Sequence, residues 1–236
     1  MKVLGHRGYS AKAPENTMSA FELALEVGCD GIELDVHLTK DGQIVIIHDH
    51  TLSRTTNGTG DVAQHTLDEL QKLDAGSWFS SEFKNEKIPT FQQLCELIKK
   101  EDILLNIELK STLGFENLNE ELASFLNEYN LKDRTIISSF NHYALVHFKR
   151  VMPEVKTGVL HMAALVNPWI YAKSIGADSI HPYYPVVVPE VVAASKQNGF
   201  MITAWTVDRP EDIERMKLAE VDGIITNELE KVQNLL

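Results

Sequence analysis

The sequence predicts an α/β chain, a (β/α)8 TIM barrel with a small insertion after its second strand. Eight short apolar runs alternate with helical patterns from end to end, and alternation of that kind builds a parallel sheet covered by helices. The 236 residues sit close to the ~250 typical of such barrels. A doubly wound sheet is the structural rival, but the Gly-rich dinucleotide loop it needs does not follow the first strand.

The elements follow in order. Residues 2–6 form the first strand and run into His6-Arg7-Gly8. Residues 31–36 form the second: Ile32, Leu34 and Val36 share one face, and the period of two puts Glu33 and Asp35 together on the other. Lys40-Asp41-Gly42-Gln43 reads as a hairpin with Asp41 and Gly42 in a two-residue type I′ loop. That choice sets residue 40 against 43 and, counted outward, Asp35 against His48. Residues 37–88, which hold the hairpin and a polar, turn-rich segment, are too long for a simple βα connection, and 49–88 are expected to form a lid-like rim insertion within one catalytic domain, residues 1–236. Thr90 and Gln93 then make a capping box for a helix with Phe91, Leu94, Cys95 and Ile98 on one face. The third barrel strand, residues 103–109, places Glu108 and the following Lys110 opposite Ile107 and Leu109. The remaining strands are expected at 134–139, 156–161, 178–181, 200–206 and 222–226, with Asn227 and Glu230 as cap and N3 of a last helix.

Composition is that of a soluble globule, 44% hydrophobic and 24% charged. A formal charge of −12 argues against a nucleic-acid partner or an anionic membrane surface, where a basic face supplies most of the binding energy. No apolar run approaches the ~20 residues of a membrane span, so no membrane insertion is expected. Cys29 and Cys95 are too few and too separated for a disulfide framework or a zinc motif. With no signal peptide ahead of MKVLGHRG, the expected location is cytoplasmic.

The strand ends supply the chemistry. Adjacent carboxylates on a covered strand repel and lose hydration, and a metal ion is the simplest relief. Glu33, Asp35 and Glu108 together are a hard oxygen-donor set that suits Mg²⁺ or Ca²⁺; an internal salt bridge to Lys110 is the bland alternative. His6 and His48 offer an acid–base pair that titrates near neutrality. Arg7 presents a planar fork suited to phosphate, and Gly8 allows close backbone approach. Trp205 ends a strand where an indole can wall a substrate pocket, unless it is core packing. His37, His50, His65, His142, His147, His161 and His181 are read as surface or internally satisfied groups, with His181 the strongest exception.

At these residues the chain resembles the glycerophosphodiester phosphodiesterases, most of all the cytoplasmic bacterial members. The resemblance rests on an ordered succession: HRG and PENT at 6–8 and 14–17, GIELDV at 31–36, TKDG and HD at 39–42 and 48–49. It continues with RTTNGTG at 54–60, LDAGSWF at 73–79, IPTF at 88–91, IELK at 107–110, SSF at 138–140 and WTVD at 205–208. Departures are small: Asp208 and Asn227 stand where relatives often carry Asn and Asp. The resemblance implies a divalent cation on Glu33, Asp35 and Glu108, and His6 with His48 as the catalytic pair. It also implies phosphate held by Arg7 and Lys110, and Trp205 lining the pocket. The small-molecule substrate would be a glycerophosphodiester such as glycerophosphocholine or glycerophosphoethanolamine, cleaved to sn-glycerol 3-phosphate and an alcohol. Two alternatives stay open, a lysophospholipid or phosphoinositide phosphodiesterase on the same barrel, and a barrel that binds a phosphoester without turning it over.

Overall fold

A computed structural model describes residues 1–110 and 114–236. Its sheet holds β1 (Lys2–His6), β2 (Gly31–Leu38), β3 (Ile44–Ile46), β4 (Leu104–Leu109) and β5 (Thr135–Ser139), then β6 (Lys156–His161), β7 (Ser179–Pro182), β8 (Met201–Ala204) and β9 (Gly223–Thr226). All neighbours pair in parallel except β3, which runs antiparallel to β2, and the β1–β2 pairing closes the other eight into a barrel. Each predicted barrel strand is present. The second runs two residues further than expected, to Leu38, and the seventh stops at Ala204, after which Trp205 makes only an isolated bridge to Tyr183.

The strand period divides the barrel wall into two environments. Ile32, Leu34, Val36, Leu105 and Ile107 face outward into the apolar layer shared with helix residues such as Phe21, Phe91 and Leu94. Leu4, Leu104, Ile136 and Met201 line the lower end of the interior, while higher up it turns polar: Asn106 Nδ2 donates to Ser138 Oγ, and Ser179 Oγ lies 3.0 Å from His181 Nε2. Gly158 faces that imidazole, and a Cβ there would sit 2.6 Å from its Nε2. The capping box of Thr90 and Gln93 forms as predicted, with Phe91, Leu94, Cys95 and Ile98 buried.

Two local expectations are corrected. The hairpin pairs Val36 with Ile46 and Leu38 with Ile44, one residue away from the predicted register, so Asp35 faces Ile47 and not His48. A type I′ loop needs positive φ at both central residues, but only Gly42 has it, at 77°. Residues 39–43 form a longer connection instead. It is held by the Thr39 side chain, which accepts from the Gln43 N–H and donates to Asp41. Strand pairing ends at Ile46, so the slip does not carry His48 away: beyond Ile47 the chain bends, and the His48 carbonyl is bound by His37 Nε2 at 3.1 Å. The second correction concerns the last helix, Leu229–Gln233, whose N-cap is Glu228 without a side-chain bond; Asn227 is committed elsewhere.

Between β3 and the helix Phe91–Ile98 the chain makes short 3₁₀ turns and the brief helix Leu67–Leu70. Val45 and Ile47 pack there with Leu52, Val62, Leu70, Ala75 and Ile88, while Ile44 and Ile46 point into the main core. The hairpin strand thus belongs to both apolar clusters through its two faces. Asp74 stitches the outer turns, accepting from the backbone of Gly76, Ser77 and Asn85.

Candidate active site

Pairing across three neighbouring strands gathers the acids at one end of the barrel. His6 on β1 is level with Glu33 on β2, and Asp35 on β2 is level with Glu108 on β4. Ligand oxygens of Glu33, Asp35 and Glu108 all lie within 4.8 Å of one another, and all three residues are buried. Two cations stand among them. Lys110 Nζ is 2.7 Å from Glu108 Oε1 and 3.2 Å from Asp35 Oδ1. Arg7 Nη1 is 2.6 Å from Glu15, and its Nε is 3.4 Å from Asp35 Oδ2. The Arg7 backbone turns back with φ 58°, which aims its N–H at Glu33 Oε2 at 3.0 Å. Gly8 follows because a Cβ there would lie 2.6 Å from the backbone of Ala20.

The carboxyls divide electrostatically. Burial and the neighbouring Asp35 and Glu108 charges push Glu33 well above the usual carboxylate range. Glu108 is pushed up to about 7 by burial and Asp35, against the pull of Lys110. Burial acts on Asp35 as well, but Lys110 and Arg7 outweigh it and hold this carboxyl below its ordinary value. Three carboxyls against two cations leave the cluster short of positive charge, and Asp35 Oδ1 makes no hydrogen bond among the described residues, its one cationic neighbour being the Lys110 ammonium at 3.2 Å. An all-oxygen set this close together, with a buried acceptor that makes no hydrogen bond, fits a hard divalent cation. The salt bridge from Lys110 to the acids is present too; it relieves the cluster only in part.

Each imidazole is gripped at Nδ1. His6 Nδ1 is 2.7 Å from Asn227 Oδ1, and its Nε2 points toward Glu33 Oε2 at 3.9 Å. Burial and the adjacent Arg7 charge lower the His6 pKa to about 4. His48 Nδ1 is 2.6 Å from Asp49 Oδ1; burial lowers its pKa as well, partly offset by the Asp35 charge. Arg54 clamps this side, donating to both oxygens of Asp49 and both of Glu15. The segment after β3 thereby reaches back to the loop after β1, and to the acid that also holds Arg7.

Four other groups escaped the sequence reading as site residues. Asn16 donates to Asp35 Oδ2 at 2.8 Å, Glu15 bridges Arg7 and Arg54, and Asn227 and Asp208 stand behind His6. Asn16 and Glu15 lie inside the PENT motif, which was their only signal. The seven remaining histidines include His181, wholly buried inside the barrel, and His37, bound to the His48 carbonyl.

A sequence model of the glycerophosphoryl diester phosphodiesterase family matches residues 6–231. The chain belongs to this family. Family membership makes it an enzyme, a phosphodiesterase. A glycerophosphodiester phosphodiesterase of Caldanaerobacter subterraneus subsp. tengcongensis is 50% identical over 99% of this chain and 97% of its own length. One from Bacillus altitudinis is 39% identical over 96% and 94%. Among solved structures, an Oleispira antarctica phosphodiesterase in complex with the product sn-glycerol-3-phosphate superposes with a TM-score of 0.95 at 32% identity, covering 100% of this chain and 96% of that one.

In this phosphodiesterase Trp205, just beyond β8, belongs to a small aromatic group. Trp205 Nε1 donates to the His181 carbonyl, and its ring packs edge-on to Phe140 at 5.4 Å and tilted to Tyr183 at 5.3 Å. The indole is fixed by its own hydrogen bond and by two neighbouring rings. No helix among the described residues is long and apolar enough to cross a membrane.

Proposed function

We propose that the protein hydrolyses glycerophosphodiesters, glycerophosphocholine and glycerophosphoethanolamine among them, to sn-glycerol 3-phosphate and the free alcohol. The observation that carries this is the buried triad of Glu33, Asp35 and Glu108 beside two imidazoles that are each oriented through Nδ1. The product held by the Oleispira relative supports the choice of product here.

Glu33, Asp35 and Glu108 would hold a divalent cation, Mg²⁺ or Ca²⁺. When bound, such an ion supplies positive charge where the phosphorane becomes more anionic. Arg7 and Lys110 face the same centre and neutralise the phosphate oxygens, while Trp205 lines the alcohol side. His6 is neutral at working pH and takes the proton from the attacking oxygen at Nε2. The family resemblance implies that this oxygen is first the glycerol 2-hydroxyl, giving a cyclic phosphate that water then opens. His48 hands a proton to the departing alcohol, a role favoured by the Asp49 carboxylate on its Nδ1, because an anion there stabilises the imidazolium. In the second step the two reverse roles: His48 takes the proton of water and His6 returns one to the 2-oxygen. Cys29 and Cys95, both free and buried, are consistent with work in the reducing cytoplasm.

Release of sn-glycerol 3-phosphate from glycerophosphocholine in the presence of Mg²⁺ or Ca²⁺ is the expected result with purified protein. Substrate that binds and stays intact would contradict it in favour of a binding barrel, and faster cleavage of a long-chain lysolipid would move the preference to lysophospholipids. The division of labour has its own check. A general acid matters little when the leaving group is an acidic phenol, so in a single turnover His48→Ala is expected to slow release of nitrophenol from a nitrophenyl glycerophosphodiester far less than release of choline from glycerophosphocholine. Equal losses on both would remove His48 as the acid.

A further inference from the structure

Behind His6 lies a chain of hydrogen bonds whose direction is fixed at its far end. Asp208, four residues beyond the end of β8, accepts three bonds: from Asn227 N–H at 2.8 Å, from Thr226 Oγ1 at 3.0 Å and from Asn227 Nδ2 at 2.6 Å. A carboxylate has acceptors only, so it receives the amide nitrogen of Asn227 and not its oxygen. The amide oxygen must then face the other way, where it accepts from Ser10 Oγ at 2.7 Å and meets His6 Nδ1 at 2.7 Å. An amide oxygen cannot donate, so the His6 nitrogen that meets it carries the hydrogen.

We propose that Asp208 is a positioning residue which, through Asn227, locks His6 in the Nδ1–H tautomer and leaves the lone pair on Nε2 aimed at the reacting centre. Asp208 is given no contact with substrate; it acts by deciding which ring nitrogen of His6 is available. Its catalytic meaning rests on the proposed role of His6 as base, while the lock itself does not. Without it the Asn227 amide is free to turn over, present its nitrogen to Nδ1 and leave Nε2 protonated, a ring in the right place with the wrong edge basic. Both oxygens of Asp208 are needed, one to fix the backbone of Asn227 and one to sort the two ends of its amide.

The polarity of each bond makes the test specific. In Asp208→Asn the new amide oxygen must still accept from the Asn227 N–H, so its nitrogen faces the Asn227 side chain, which then turns its own oxygen outward and its nitrogen toward His6. Pairing Asp208→Asn with Asn227→Asp restores the original direction, because the new amide donates to a carboxylate that can only accept from His6. Ring nitrogen-15 spectra of histidine-labelled protein report the tautomer directly, with His6 assigned by its loss in His6→Gln. They are recorded at about pH 8, above the ordinary imidazole pKa, both with Mg²⁺ and with excess chelator. The expected pattern is Nδ1–H in the parent, Nε2–H in Asp208→Asn and Nδ1–H again in the double variant. Turnover of glycerophosphocholine should follow, with kcat lower by about 10²-fold in Asp208→Asn, KM little changed, and most of kcat recovered by the second substitution. An Nε2–H parent overturns the proposal without any variant. So does an Asp208→Asn protein that keeps Nδ1–H, or a double variant that does not regain it. Tautomers that switch as described while kcat stays constant would uphold the lock and remove His6 from its role as base.

Discussion

Replacing Asp35 with Asn is expected to abolish turnover of glycerophosphocholine and the response to divalent cations together. Asp35 is the hub of the cluster: level with Glu108, within reach of Arg7 and Lys110, and steadied by Asn16. Its carboxyl is also the one held ionised, so the substitution removes the most dependable anion of the triad. Breaking a buried charge network from one side leaves the other side uncompensated, typically at a cost of about 3–5 kcal/mol. The binding measurement separates this from mere instability. A ligand at ~100 times its dissociation constant stabilises a fold by about 2.7 kcal/mol, which for a chain of this size raises Tm by roughly 5–10 °C. The parent protein should show that rise with Mg²⁺ or Ca²⁺, and Asp35→Asn should not.

The rise should depend on pH, with a sign set by the other two acids. Glu33 and Glu108 have folded-state pKa values raised above their ordinary ones, to about 7 for Glu108. In the metal-free protein the folded state therefore binds protons more tightly than the unfolded chain. That contribution is fully present below the ordinary carboxylate value of 4.5 and is lost as pH climbs through about 7. Metal-free Tm should accordingly fall across this window, and the gain from Mg²⁺ should be larger at its upper end, where no proton must be displaced. Full activity in excess chelator, or a gain that shrinks with rising pH, would contradict the assignment.

His6→Ala is expected to lower kcat by about 10²- to 10⁴-fold, the usual worth of a positioned general base. The loss should fall on kcat and on kcat/KM equally, because the ring acts on the proton in the transition state and supplies no ground-state contact to phosphate. Unlike His48→Ala, it should not be relieved by a phenolic leaving group, since the proton it handles belongs to the attacking oxygen. Near-normal turnover by both single variants would remove the acid–base pair altogether.

The barrel was legible because short apolar runs alternate with helical patterns from end to end, and on β2 and β4 the period of two puts Glu33, Asp35 and Glu108 together where an inward apolar residue is the default. Face and neighbour were enough to bring the acids together. The hairpin register was not legible: Asp41-Gly42 has the composition of a two-residue loop, but Thr39 offers its hydroxyl to the backbone and stabilises a longer turn. Asn227 was read as a helix cap for a related reason. Asn and Asp serve caps, turns and side-chain networks with the same atoms, and only the position of Asp208 decides which. The Glu15–Arg54–Asp49 clamp depends on how the segment after β3 docks, and a contact between residues 39 apart leaves no local signature.

Catalysis by this site turns on a divalent cation held by Glu33, Asp35 and Glu108 beside the two imidazoles. Anomalous diffraction from crystals of the active protein soaked in Mn²⁺ tests it most directly. A single strong peak enclosed by those three carboxylates, lost in Asp35→Asn, is the expected result. A peak elsewhere on the molecule, with the triad still paired only to Arg7 and Lys110, would contradict it.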